Sequence, residues 1–335
     1  MRTFPIVRAS YLNLYLDFLR EVGAPVDRGL AAAGLPGEIE DMPEAYVSIA
    51  RALEAVAYCG GDTGLMELGF CGSRRLSMDA FSAPMRQTIL QRPTLHARLQ
   101  AMMVWVCRED NVLIARMEPG AGTMRVVLDL PVFKANPLAC LGEWVNVAGI
   151  VAVVRSVAGP SWSPPEIAFT ARMVPCDAAQ EHFGKTRFLT GQPQTSVCVE
   201  AELLARACPP PGGVDAAPGA LDTGGPADWT FPAVLRAVIR PYLSERRLDV
   251  NAAAELVGMS GRTLQRRLQR LGTNYLAVVD EARGDLMRHL LTDPSLKIID
   301  VGLMCGYDDP QNFTRTFGRI HGITPSAFRR NRLHA

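Results

Sequence analysis

One helical pattern occurs twice between Asp249 and Arg330, and its two copies lie 49 residues apart. Each copy carries apolar residues at positions i, i+4 and i+7: Leu264, Leu268 and Leu271 in the first, and Phe313, Phe317 and Ile320 in the second. Apolar residues at this spacing fall on one face of an α-helix. An arginine lies on the other side of each copy, Arg266 in the first and Arg315 in the second. The sequence therefore predicts two related amphipathic helices.

A short helix, a glycine and a capping residue precede each copy. Gly258 and Gly306 can adopt the positive φ that ends a helix. Ser260 in the first copy, and Asp308 or Asp309 in the second, can then cap the following helix. Small residues would let the two helices of each pair cross closely: Ala253, Ala254 and Gly302. This plan is that of a helix-turn-helix, whose second helix enters the major groove of DNA.

Three segments resemble the AraC/XylS family of transcription regulators. They are residues 258–268 (GMSGRTLQRRL), 306–317 (GYDDPQNFTRTF) and 322–330 (GITPSAFRR), and the resemblance covers roughly the last 100 residues. It implies an all-α C-terminal domain with two helix-turn-helix motifs joined by a linker helix. It also implies a sequence-specific regulator that binds double-stranded DNA and, as the activator we expect, contacts RNA polymerase. At Asp308 the sequence departs from the family, whose second copies usually carry a small hydroxyl residue there.

The outward face of each repeated helix carries side chains that can read DNA bases. Arginine can donate to guanine O6 and N7, and glutamine can pair with adenine N6 and N7. The family resemblance places base-reading residues at six positions: Arg262, Gln265, Arg266, Gln311, Asn312 and Arg315. We expect phosphate contacts from further donors, namely Thr263, Arg267, Arg270, Thr314, Arg319, Arg329 and Arg330. The alternative is that these polar residues only solvate the helix faces, and their repeated placement favours DNA contact.

A longer helix is predicted between the two copies. Thr273 can cap it, residues 274–291 form it, and Asp293 and Pro294 follow its end. Its apolar stripe needs partners in both halves of the domain: Tyr275, Val279, Ala282, Leu286 and Leu290. Such a spacer would hold two recognition helices about 34 Å apart, which is one turn of DNA.

Charge and composition divide the chain. Residues 227–335 carry 16 Lys and Arg against 11 Asp and Glu, whereas the remainder carries 19 against 23. A basic rear half fits nucleic-acid binding. Residues 207–229 contain five prolines and five glycines, a composition typical of a linker. We therefore predict an effector-binding and dimerisation domain at 1–206, a flexible linker at 207–229 and a DNA-binding domain at 230–335.

The front domain mixes helices and strands without a regular βαβ alternation, which predicts an α+β fold. Helices are expected near residues 10–19, 43–58, 63–71, 92–105, 137–157 and 177–183, and strands near 109–117, 123–130, 166–171, 187–189 and 196–199. This order of segments resembles the arabinose-binding-like domain of one AraC/XylS branch, which implies a small-molecule sensor that forms a homodimer. Candidate effector contacts are Trp105, Arg116 and Trp144. An apolar tryptophan is, however, more often part of the core.

Other functional classes are disfavoured. The eight cysteines are scattered without metal-ligand spacing, so we predict no metal, no cofactor and no disulfide scaffold. The N-terminus lacks the apolar region of a signal peptide, and Pro137 and Glu143 interrupt the apolar run at 135–154. We therefore expect a bacterial cytoplasmic protein without a membrane span. No phosphate loop, zinc-protease motif or nucleophile elbow indicates an enzyme. The alternative to an effector-responsive regulator is a ligand-independent one, whose front domain serves only dimerisation or protein contacts.

Overall fold

The computed structural model describes residues 4–208, 229–243, 248–307 and 309–333. The chain forms two compact units. The N-terminal unit comprises Val7–Glu44 and Ile49–Ala227, and the C-terminal unit comprises Met1–Ile6, Ala45–Ser48 and Asp228–Ala335. Two short front segments therefore belong to the C-terminal unit, which the predicted division did not foresee. Most of the predicted linker at 207–229 lies outside the described residues, as does Asp308, and the linker stays a prediction.

Helices and strands alternate irregularly along the described residues. The strands are β1 (Ile6–Arg8), β2 (Tyr46–Ser48), β3 (Ile114–Pro119), β4 (Thr123–Asp129), β5 (Glu166–Ala168), β6 (Arg187–Leu189) and β7 (Ser196–Glu200). The helices of the N-terminal unit are α1 (Ala9–Glu21), α2 (Val26–Ala32), α3 (Ile49–Gly60), α4 (Leu65–Ser73), α5 (Ala83–Leu90), α6 (Leu95–Glu109), α7 (Ala139–Ala158), α8 (Asp177–Phe183) and α9 (Ala201–Leu204). Those of the C-terminal unit are α10 (Phe231–Ile239), α11 (Val250–Leu256), α12 (Gly261–Arg270), α13 (Tyr275–Leu291), α14 (Ile298–Met304), α15 (Pro310–His321) and α16 (Pro325–Leu333).

The N-terminal unit contains a five-stranded mixed sheet in the order β3-β4-β7-β5-β6. β3 and β4 form an antiparallel hairpin, in which Ile114 pairs with Asp129 and Pro119 with Met124. β7 is antiparallel to both β4 and β5, whereas β5 and β6 are parallel. The hairpin that turn residues at 118–122 predicted is confirmed, and so is the mixture of helices and strands in this half of the chain.

Helix α7 lies in the core of the N-terminal unit. By length and composition alone Ala139–Ala158 could cross a membrane, but 61% of its most apolar window is buried inside the protein. Trp144 packs among aromatic rings of neighbouring elements, including Phe70, Phe169 and Phe183. The burial of this long apolar helix fits its prediction as a core helix.

Glu143, which interrupts the apolar run of α7, is a buried acceptor of four hydrogen bonds. Its carboxylate accepts from Thr170 N and Thr170 Oγ1, both at 2.6 Å, from Ala171 N at 3.2 Å and from Thr195 Oγ1. Only 2% of Glu143 is exposed. The residue therefore ties α7 to the segment after β5 and to the start of β7.

Two predicted elements begin elsewhere than expected. The helix expected at 43–58 is preceded by β2, because Tyr46 and its neighbours pack in the core of the C-terminal unit, and α3 begins only at Ile49. The strand expected from residue 109 begins at Ile114, because α6 continues to Glu109. Asp110 then turns the chain, since its Oδ1 accepts from the backbone N–H groups of Val112 and Leu113 at 2.9 and 3.0 Å.

The C-terminal unit has two apolar clusters that meet along α13. The first cluster joins α10, α11, α12 and the first half of α13, with Leu264, Leu268 and Ala282 at its centre. The second joins the rest of α13 to α14 and α15, and Leu286 packs against both clusters. The prediction that this helix has partners in both halves is thus confirmed. Its cap is Asn274, whose Oδ1 accepts from Ala277 N, and not Thr273.

Front residues complete the first cluster of the C-terminal unit. Ile6 and Tyr46 are buried in it together with Phe231 and Val234 of α10. The ring of Tyr46 meets that of Trp229 edge to face, with 5.5 Å between ring centres. The C-terminal unit is therefore assembled from three separate stretches of sequence.

Candidate nucleic-acid interface and apolar cavity

Both repeated helices follow a short helix and a tight, capped turn. Gly258 and Gly306 have φ values of 64° and 79°, as their position after a helix predicts. Ser260 Oγ accepts from Thr263 N at 3.3 Å at the start of α12. Asp309 Oδ1 accepts from Gln311 N at 2.9 Å at the start of α15. Residues next to each helix therefore determine where it begins, and the predicted glycines and caps are confirmed.

The apolar side of each repeated helix is buried as the periodicity predicts. Leu264 and Leu268 of α12, and Phe317 of α15, are completely buried. Gly302 lets α14 approach α15, because a Cβ at this position would lie 3.3 Å from the ring of Phe313. Leu271 is an exception, since it follows the end of α12 and is 47% exposed. With one side of each helix buried, the opposite polar side faces solvent.

All six predicted base-reading residues are exposed: Arg262, Gln265, Arg266, Gln311, Asn312 and Arg315. On α15, Arg315 Nη2 donates to Asn312 Oδ1 at 2.6 Å, so that these two neighbours hold each other one helical turn apart. On α12, Arg262, Gln265 and Arg266 lie within two turns on the face away from Leu264. Each helix therefore offers guanidinium and amide groups that can form hydrogen bonds with base edges.

The predicted phosphate-contacting residues differ in their surroundings. Thr263, Arg270, Thr314 and Arg330 are exposed. Arg319 Nη2 forms an ion pair with Asp280 Oδ2 of α13 at 2.9 Å. A phosphate would therefore have to compete with Asp280 for Arg319.

Two arginines of the predicted phosphate set have structural partners inside the C-terminal unit. The guanidinium of Arg267 lies 3.7 Å from the ring centre of Phe231, a cation–π contact that fastens α12 to α10. Arg329 donates to the carbonyls of Leu291 and Leu296, at 3.3 and 2.7 Å, beyond the end of α13. Sequence reasoning missed both roles because the partners lie far away in the chain. A phosphate contact from either side chain stays a prediction.

An apolar cavity of about 80 Å³ lies inside the N-terminal unit. Helices α1, α3, α6 and α7 line it together with β4. Its walls are mostly aliphatic and include Leu12, Leu53, Val56, Met102, Leu128 and Val145. Four polar residues also line it: Tyr11, Tyr15, Asp110 and Asn146. No local pattern in the sequence indicates this cavity, because its lining comes from positions between 7 and 149.

None of the three predicted effector contacts is among the residues that line this cavity. Trp105 and Trp144 are almost fully buried, and Trp144 belongs to the aromatic group around Phe70. Arg116 Nε donates to Glu118 Oε1 at 2.7 Å, and its guanidinium also contacts Gln194 on the sheet. Effector contact by these three residues stays a prediction. Their positions favour it less than they favour a role in packing and in the sheet.

Asp110 lines the cavity, and Glu109 precedes it in the chain. Burial raises the pKa of Asp110 to about 7, although hydrogen bonds from the N–H groups of Val112 and Leu113 act in the opposite direction. Burial also raises the pKa of Glu109, which accepts from Tyr11 Oη at 2.6 Å. Arg8 lies 3.9 Å from Glu109 and also pairs with Glu44. In the described residues, no group of three or more His, Cys, Asp or Glu side chains is arranged to hold a metal ion.

Known proteins resemble the C-terminal part of the chain most clearly. Residues 253–331 match the family described as a helix-turn-helix domain. The ornithine utilization regulator of Pseudomonas aeruginosa is 38% identical over 81 residues, which are 24% of this chain and 24% of that protein. The arabinose operon regulatory protein of Salmonella typhimurium is 30% identical over 92 residues, or 27% of this chain and 33% of that protein. The chain thus spans only a quarter to a third of the length of these two relatives.

Longer but weaker similarity covers almost the whole chain. The HTH-type transcriptional regulator VirS of Mycobacterium tuberculosis is 23% identical over 340 residues, covering 97% of this chain and 96% of that protein. The transcriptional regulator CdpR of Pseudomonas aeruginosa has a solved structure that covers 91% of this chain and 96% of that chain, with 19% identity and a TM-score of 0.38. The sequence matches and the paired, capped helices agree: the C-terminal part of this chain carries a helix-turn-helix domain similar to those of the transcription regulators that it matches.

Proposed function

We propose that this regulator reads DNA with two recognition helices, α12 and α15, one from each of two helix-turn-helix motifs that α13 joins. The exposed polar faces of these helices carry the proposal, because each faces solvent while its apolar side is buried. Two such helices in one chain would contact successive major-groove segments on one side of the duplex. The operator would then need no palindrome within the site of one chain.

The exposed polar residues of the two helices, together with Arg330, would have different roles. Arg262, Gln265 and Arg266 would contact bases from α12, and Gln311, Asn312 and Arg315 would contact bases from α15. The exposed Arg270 and Arg330 would contact phosphates, which position the protein without reading sequence.

The N-terminal unit would bind a small-molecule effector and form the homodimer. The apolar cavity supports the effector role, since binding sites for small molecules are largely apolar and carry a few polar groups. An effector would change transcription only if it bound two states of the protein with different affinity. We propose that the outcome is activation through RNA polymerase in the bacterial cytoplasm.

Selection of bound DNA from a random pool tests the proposal directly. The full chain should enrich one sequence with two contacted segments about one helical turn apart. Adding metabolite extracts should change the amount of that DNA bound. Enrichment of no sequence would contradict base reading, and indifference to every extract would favour the ligand-independent alternative.

Replacing Arg266 or Arg315 with alanine should weaken binding to the selected DNA by about 1–3 kcal/mol, the cost of losing a bidentate base contact. Binding to random DNA should change much less. Fluorescence anisotropy on both DNAs at one salt concentration measures the difference. Arg270→Ala is the matched control, because losing a phosphate contact should weaken both complexes similarly and lower the salt dependence. Equal losses on both DNAs for Arg266→Ala and Arg315→Ala would refute base reading.

A further inference from the structure

The cavity of the N-terminal unit contains hydrogen-bond acceptors that the described residues leave unused. Only 8% of the surface of Asp110 is exposed. Its Oδ1 accepts from Val112 N and Leu113 N, whereas its Oδ2 has no hydrogen-bond donor among the described residues. Asn146 Nδ2 donates to Leu128 O at 3.4 Å, and this leaves its Oδ1 free to accept. Both residues line the cavity.

The hydroxyl groups that line the cavity do not satisfy these acceptors. Tyr11 Oη donates to Glu109 Oε2 at 2.6 Å, and Tyr15 Oη donates to Leu141 O at 2.7 Å. No residue that lines the cavity carries a positive charge. Hydrogen bonds between an ionised donor and a carboxylate are stronger than neutral ones, so a ligand that supplies a charged donor would gain affinity here.

We propose that this cavity binds a small primary amine, with its ammonium group on Asp110 and Asn146 and its hydrocarbon part against the aliphatic wall. The inference rests on the proposed function, because it names the chemical class of the effector. The volume of 80 Å³ accommodates about five to eight non-hydrogen atoms, since about 10–15 Å³ of such volume holds one water. Leu12, Val56 and Met102 supply the apolar contacts. A ligand carboxylate would instead face the acidic Asp110.

The pH dependence of binding follows from the groups around Asp110. Glu109 and Cys107 lie on α6, directly before Asp110. Tyr11 approaches from α1, and Arg8 precedes α1. The pKa of Asp110 is about 7, so the carboxylate gains its charge as the pH rises through 7. A primary amine stays protonated to about pH 10. The attraction is therefore absent at acid pH and complete near pH 8, and amine affinity should rise about tenfold between pH 6 and pH 8.

Calorimetric titration of the full chain with three probes of similar shape tests the inference. The probes are cyclohexylamine, cyclohexanol and cyclopentanecarboxylate, each with seven or eight non-hydrogen atoms. We expect cyclohexylamine to bind at least tenfold more tightly than either other probe at pH 8. Asp110→Asn should remove that advantage while it keeps an oxygen that can accept from Val112 N and Leu113 N. The pH profile of the unmodified protein gives a second readout that needs no variant.

Three outcomes would overturn the inference: tighter binding of the carboxylate than of the amine, equal binding of the amine to the parent chain and to Asp110→Asn, or an amine affinity that falls as the pH rises.

Leu53→Trp, which fills the cavity, separates failure of the amine inference from failure of the proposed function. If metabolite extract alters DNA binding by the parent chain but not by Leu53→Trp, and the amine does not bind, the cavity holds an effector of another class. If extract acts equally on both, the cavity is not the effector site.

Discussion

Replacing Glu143 with alanine is expected to destabilise the N-terminal unit by about 3–5 kcal/mol. The substitution leaves Thr170 N, Ala171 N and Thr195 Oγ1 without their acceptor in the interior. Each buried unsatisfied donor costs about 1–3 kcal/mol. Urea unfolding of the full chain, followed by tryptophan fluorescence, measures the loss, because Trp105, Trp144 and Trp162 all lie in this unit. The unfolding midpoint should fall without a change in the slope.

Glu143→Gln is the matched control for this prediction. Its amide oxygen can still accept from Thr170 and Thr195, and only Ala171 N meets an amide nitrogen in place of an acceptor. We therefore expect the glutamine variant to lose less than half as much stability as the alanine variant. Midpoints equal to that of the parent protein for both variants would show that the network contributes nothing to stability.

Phe317→Ala is expected to cost about 3–5 kcal/mol, the usual loss for a buried phenylalanine. Phe317 is completely buried, and its ring lies 5.6 Å from that of Phe328 and 4.4 Å from that of His321, measured between ring centres. The cluster around it is small, so one such loss should unfold most of α14 and α15. Hydrogen exchange should accelerate at residues 298–321, while residues 250–270 in the first cluster stay protected.

Two comparisons separate this effect from a direct loss of DNA contacts. Leu268→Ala, which removes a buried side chain from the first cluster, should reverse the pattern of exchange. Arg315→Ala should weaken specific DNA binding and leave exchange unchanged, because Arg315 is exposed. Uniform acceleration across both clusters in Phe317→Ala would contradict their independence.

The sequence predicts α12 and α15 well because short-range interactions determine them. Leu264 and Leu268 mark the buried face of α12, Gly258 permits the turn before it, and Ser260 caps the helix four residues before Leu264. All of these signals lie within eleven residues of one another. The capping error at Thr273 is one residue, which is the ordinary uncertainty of a helix boundary.

Features that join distant parts of the chain were not predictable in this way. Arg267 looks like a solvent-facing helical arginine until the ring of Phe231, 36 residues earlier, covers its guanidinium. Glu143 looked like an interruption of an apolar helix, because its donors come from residues 170, 171 and 195. The cavity likewise depends on how α1, α3, α6 and α7 pack together, which periodicity within one helix does not specify.

The contribution of Ile6 and Tyr46 to the core around α10 limits how freely this chain can exchange segments with its relatives. A recombinant hybrid that inherited only residues from 229 onward would leave that core without two of its buried side chains. The hybrid would expose an apolar patch and have poor solubility, even with every predicted base-reading residue intact. Exchange of residues from 229 onward alone is therefore disfavoured for this chain. Successful chimaeras should carry residues 4–6 and 45–48 together with that C-terminal segment.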